Sequence, residues 1–178
     1  MAAFTPEEFT RLRIDCWALV YGGVVTVEET NRDACIGWLQ RHGYRMETMD
    51  LGVGFDAVAA EVGRRFDWVG NFGYAYEEGR RGLDALSDGF HFDVPDEGGV
   101  VLELLRPEDL FRDQPKWLLG LLGVASRHSA YHMAHGRRFF ALLVLPDLPC
   151  GEAERSPLLG QVLARQEVGF PQRRAWPD

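Results

Sequence analysis

The stretch from Tyr74 to Asp93, YAYEEGRRGLDALSDGFHFD, decides how the rest of the chain is read. At about 100° per residue, Leu83, Leu86 and Phe90 fall on one stripe of a short helix, while Asp84 and Asp88 point roughly the opposite way. This spacing predicts a helix seated on a core with two carboxylates held out from it. Like charges four residues apart weaken an isolated helix by roughly a few tenths of a kcal/mol. No Lys or Arg follows at three or four residues to relieve them, so relief from outside the helix is expected.

Downstream, the turn Pro95-Asp96-Glu97-Gly98-Gly99 leads into Val100 to Leu105, VVLELL, an apolar run suited to a strand buried on both faces and placed mid-sheet. Pro107 opens a short helix through Phe111. Pro115 opens a longer one with Trp117, Leu118, Leu121, Leu122 and Ala125 at helical spacing. Phe139 to Leu145 is a second fully apolar strand. Upstream, Tyr44 to Leu51 reads as a strand and Phe55, Val58, Ala59, Val62 and Phe66 as a helical stripe, separated by a turn at Gly52 and Gly54.

The N-terminal part carries one more such unit. Thr5 and Glu8 form a capping box, with Pro6 in the first turn and Phe4 stapled to Phe9, and a helix starts near residue 6. Val24 to Val27 is a strand. A cap at Thr30 or Asn31 precedes a helix with Ala34, Cys35, Trp38 and Leu39 inside. The alternation predicts an α/β fold: a small parallel sheet of three to four strands, right-handed crossovers and packed helices. Trp68 to Tyr76 reads as an aromatic, glycine-rich loop over the start of the central helix. Its aromatics either pack the loop down or leave one or two tyrosines exposed as contact residues.

With 178 residues, 46% hydrophobic and 26% charged, the chain suits one globular domain. It divides into a core at 44–145, an N-terminal extension at 1–43 and a surface-packed tail at 146–178, with a possible helical turn at 158–163. The start MAAFTPEEF lacks the basic and apolar regions of a signal peptide, and a cytoplasmic protein is expected. A formal net charge of −8 disfavours nucleic acid and anionic membrane and favours a cationic partner. Cys16, Cys35 and Cys150 make neither a disulfide framework nor a zinc motif.

Gly-Leu-Asp-Ala-Leu-Ser-Asp at 82–88, preceded by Phe-Asp-Trp-Val-Gly-Asn at 66–71 and followed by Val-Val-Leu-Glu-Leu-Leu at 100–105, resembles the barstar family of small α/β ribonuclease inhibitors and related immunity proteins. The resemblance spans about residues 44–145. It implies a barstar-like sheet whose acidic helix plugs the active site of a basic ribonuclease or related toxin, with carboxylates standing in for substrate phosphates. Asp84 and Asp88 match the family's two acidic positions. Ser87 stands where the family's best-known member has an aromatic contact, and Gly82 takes the place of an Asn at the helix start. About ten extra residues separate the aromatic turn from the helix, and no acidic residue is evident near Ser126. The resemblance thus implies a partner-binding set of Asp84, Asp88, Ser87 and Gly82 with Tyr74, Tyr76 and Glu78 from the lead-in. It implies no cofactor, no catalytic residue and a monomer when free. The extra N-terminal unit and the tail resemble the longer, immunity-type members.

Other chemistry in the sequence is sparser. His128 and His132 stand at i and i+4 with His135 close behind, a spacing that can hold a transition metal, but HSAYH lacks the Glu of the zinc-protease pattern. Histidines are also favourable at a helix C-terminus, and no metal is expected. The Asp84/Asp88 pair could serve a small enzyme, or the chain could be a non-inhibitory binding module. No nucleophile elbow, phosphate-cradling loop or Cys/His pair accompanies it.

Overall fold

The computed structural model describes residues 2–10, 13–20, 22–76 and 82–147. Four parallel strands, β1 (Val24–Glu28), β2 (Tyr44–Asp50), β3 (Gly99–Leu105) and β4 (Phe139–Leu145), form one sheet in the order β1-β4-β3-β2. The α/β class and the parallel sheet are as the sequence predicts. The two most apolar strands, β3 and β4, are the inner pair, because only there are both faces covered.

Helices α1 (Pro6–Thr10) and α2 (Ile14–Val20) precede β1, and α3 (Arg32–Arg41) links β1 to β2. Between β2 and β3 lie α4 (Phe55–Arg65), α5 (Trp68–Phe72) and α6 (Leu83–Gly89), and between β3 and β4 lie α7 (Pro107–Asp113) and α8 (Pro115–Ala134). The chain runs from β1 to β2 at the far edge, then returns through β3 to β4. Reversing direction under right-handed crossovers sends the later helices to the opposite face of the sheet. Alternate strand residues follow this division. Val101, Phe140, Leu142 and Val144 pack with Trp38 and Leu39 of α3, whereas Val100, Leu102, Leu104, Phe139 and Leu143 pack with α4, α6 and α8.

Several local expectations meet their physical cause. The capping box closes in both directions, Glu8 N–H donating to Thr5 Oγ1 at 3.2 Å and Thr5 N–H to Glu8 Oε2 at 3.0 Å. The side chain of Phe9, the proposed staple partner, lies outside the description. Asp15 is fully buried behind this helix pair, accepting from Arg13 at 3.0 and 2.7 Å and from the Tyr44 hydroxyl at 2.6 Å. Glu8 in turn accepts from Arg13 and Arg138, which ties α1 and α2 to the amino edges of β2 and β4.

Three expectations need correction. Trp68–Phe72 is a helical turn and not a loop, anchored because the Trp68 indole is fully buried and Asn71 Nδ2 donates to the Phe66 carbonyl at 2.9 Å. Ala34 faces solvent on α3, while Cys35, Trp38 and Leu39 are buried. The run at 100–105 is not uniformly apolar in its packing, since it buries Glu103 at 1% exposure. That carboxylate accepts from Arg32 Nε at 2.7 Å, Arg32 Nη2 at 3.2 Å and Thr48 Oγ1 at 2.7 Å. Of the tail, residues 148–178 and the helical turn expected at 158–163 lie outside the described residues.

Candidate functional site

Helix α6 has seven residues, too few to be stable in isolation. Its position is set by what its inner face touches. Leu83 packs over Gly120 of α8 so closely that a Cβ at 120 would overlap the leucine methyl carbons and stand 2.7 Å from Cγ. Leu86 is fully buried, and so is Phe90 just past the helix end, against Phe66 at 5.2 Å and Phe139 at 5.9 Å between ring centroids. Gly89 receives the edge of the Trp68 indole, where a Cβ would overlap Cζ3 and lie 3.0 Å from Cε3 and Cη2. Helix α6 is therefore held at both ends, by α8 and by α5.

On the outer face Asp84 and Asp88 are both exposed. Among the described residues neither makes a hydrogen bond or ion pair through its carboxylate. Asp84, in the first turn, sits at the favourable end of the helix dipole. Asp88 sits in the last turn, at the unfavourable end, four residues from a like charge. The fold thus provides a rigid base for a carboxylate that local forces disfavour.

The remaining predicted contact residues divide. Ser87, half-buried between the aspartates, accepts from Arg127 Nη2 at 3.3 Å through its hydroxyl, and its carbonyl lies 3.3 Å from His128 Nε2. Gly82 is exposed in extended backbone at the helix start, without a side-chain cap. Tyr74 is half-buried beside Trp68 and Phe72. Tyr76 is a core residue in this fold, at 0% exposure, with Trp117 Nε1 donating to its hydroxyl at 3.3 Å, so its assignment as a contact residue is corrected. Glu78 lies outside the described residues. Sequence reasoning passed over Val69 and Phe72, which α5 leaves 61% and 37% exposed beside the buried Trp68. The aromatic density of the segment was the available signal; which ring turns outward depends on α5 being helical.

The histidines of α8 and its C-cap do not share one environment. His132 is buried, His128 half-buried and His135 exposed, and the rings of His128 and His132 are 6.5 Å apart. Burial lowers the pKa of His128 below the usual imidazole range, and burial together with the neighbouring His128 and Arg137 pushes His132 down to about 4. Among the described residues, no three His, Cys, Asp or Glu side chains gather closely enough to hold a metal ion. Cys16 and Cys35 are buried free thiols whose pKa values burial raises.

A cleft of about 370 Å³ opens at the carboxyl edge of the sheet, over the end of β4 and between the segment after β1 and α7. Such edges often bind ligands in open α/β sheets. Here its two guanidiniums are already engaged, Arg32 with Glu103 and Arg106 with Asp50, and its lining includes neither Asp84 nor Asp88. The two aspartates stand on open helix surface. Among the described residues no helix is long and apolar enough to cross a membrane. Compared with models of known protein families, with curated proteins and with solved structures, the chain finds no match.

Proposed function

We propose that this protein is a barstar-like inhibitor that binds and blocks the active site of a basic toxin, with a ribonuclease as the leading class, and that it serves as an immunity protein in the cytoplasm of the cell that makes the toxin. The reading is carried by one observation: Asp84 and Asp88 stand exposed on a helix whose opposite face is locked by Gly120, Trp68 and Phe139. Their ordering cost is met by folding, so carboxylates arrive at a cationic site already placed. A ribonuclease site holds phosphate with Arg, Lys and His, and fixed carboxylates satisfy the same donors through charge-assisted hydrogen bonds. The parallel run β2-β3-β4, with α4 to α6 and α7 to α8 as its connections, has the form that the resemblance at 44–145 implies. A net charge of −8 supports fast, salt-sensitive encounter with a cationic partner.

The test is calorimetric titration against small basic ribonucleases and the product of any toxin-like reading frame beside the gene. Truncating Asp88 leaves partner cations buried without a counter-charge, a loss of about 2–5 kcal/mol expressed mainly in dissociation. Unchanged affinity in the Asp84→Ala/Asp88→Ala double variant sinks the proposal.

A further inference from the structure

The surface that carries the two aspartates also carries a cation. Arg127, on α8, is exposed, and its Nη2 donates to Ser87 Oγ at 3.3 Å. Its guanidinium runs back along the helix, with Nη1 3.9 Å from where a Cβ on Gly123 would stand. Gly120, one turn earlier on α8, clears the space that Leu83 of α6 fills. Among the described residues no carboxylate forms an ion pair with Arg127, although Asp88 adjoins the serine it reaches. The guanidinium thus reaches α6 one residue from Asp88 without pairing with either carboxylate.

We infer that Arg127 is a specificity-determining residue: the partner presents cations to Asp84 and Asp88 and a carboxylate to Arg127. This rests on the inhibitor reading above and adds the partner's charge pattern to it. Arg127 reaches Ser87, one residue from Asp88 and three from Asp84 on α6, so the guanidinium borders the surface that presents the two carboxylates. A uniformly cationic partner would then bury a like-charge contact, which costs affinity and excludes it. A site that cleaves RNA combines phosphate-holding cations with a group that accepts the proton of the attacking hydroxyl, and Glu or Asp is, after His, among the side chains that fill that role. Arg127 matches such a carboxylate, with a planar fork suited to bidentate pairing.

The test uses the full chain as bait and a displayed, catalytically inactivated small basic ribonuclease as probe, its charged active-site positions each varied among Arg, Lys, Glu, Asp and Gln. Selection on the wild-type bait is expected to enrich a carboxylate at one position. Selection on Arg127→Glu is expected to place Arg or Lys at that same position, and exchanging binders between baits to weaken binding at least about tenfold. Arg127→Lys should retain the wild-type preference. Identical charge preferences on the wild-type and Arg127→Glu baits, with both melting alike, overturn the inference. An Asp84→Ala/Asp88→Ala bait that holds the wild-type binders equally well instead sinks the inhibitor reading, and the two failures stay distinct.

Discussion

Glu103 offers a sharp test of how this core is held together, because removing one partner of the pair and removing the other should have very unequal consequences. The carboxylate is 1% exposed in the inner strand β3 and takes three hydrogen bonds, two from Arg32 and one from Thr48. Arg32→Ala leaves that carboxylate buried with the threonine alone. Breaking a buried pair from one side costs about 3–5 kcal/mol. Arg32 is 32% exposed, so water can partly replace it, and the expected loss is about 2–4 kcal/mol. Glu103→Leu removes the buried charge itself. It frees Arg32 and the exposed Thr48 to turn to water, and at similar volume it should change stability by about 1 kcal/mol or less.

Urea denaturation at neutral pH reads the difference. With a slope of roughly 1–3 kcal/mol per molar, Arg32→Ala should lower the midpoint by about 1–2 M and Glu103→Leu by a fraction of that. The Arg32→Met/Glu103→Leu double variant should recover most of the loss. Because Glu103 faces α3, on the side of the sheet away from α6, none of these changes should alter binding through Asp84 and Asp88. A Glu103→Leu variant at least as unstable as Arg32→Ala would refute the reasoning, since it would mean that the pair contributes net stability.

Gly89→Ala should cost about 1–3 kcal/mol and change the near-ultraviolet signal of the indole, because the new methyl meets the fully buried Trp68 ring and one of the two must shift; the control Gly37→Ala, whose nearest neighbour is the flexible Arg41 head at 3.4 Å, should be neutral or stabilising by up to about 1 kcal/mol, and equal melting shifts in the two would count against the packing described. Stability should also fall with acid through α8. His132 binds its proton at about 4 in the fold against 6.5 unfolded, so the unfolded chain holds more protons throughout that window. Stability is fully present above pH 6.5 and declines as pH falls to 4, and an acid limb identical in wild type and His132→Leu would contradict this assignment.

The sheet was legible because its strands and longer helices have clean periods. Val100 to Leu105 and Phe139 to Leu145 are apolar enough to require two covered faces, and the stripe of α8 survives over twenty residues. The capping box was legible because both its partners lie within four residues. What escaped depends on distant partners. Glu103 looked like part of an apolar run because the arginine that lets it stay there lies 71 residues earlier. Tyr76 could not be assigned to the core from its surroundings, since its hydroxyl is met by Trp117, 41 residues later. Helix α5 contains Gly70 and Asn71 and has weak intrinsic propensity; burial of Trp68 decides it.

The same dependence on distant contacts separates the residues of α6 into two kinds. A seven-residue helix contributes too little on its own to hold any side chain in place, so the positions of Asp84 and Asp88 are inherited from Leu83 on Gly120, Gly89 on Trp68 and Phe90 on the sheet. Substitutions on that inner stripe should therefore lower stability and partner affinity together, since the carboxylates move when their support moves. Substitutions on the outer face have no such route: Asp88 lies at the unfavourable end of the helix dipole, and its removal should leave stability within about half a kcal/mol of wild type or slightly raise it. An affinity loss of several kcal/mol alongside no loss of stability is what a carboxylate acting only in the complex produces. A structural charge cannot produce that combination, because whatever it contributes is already present in the free protein.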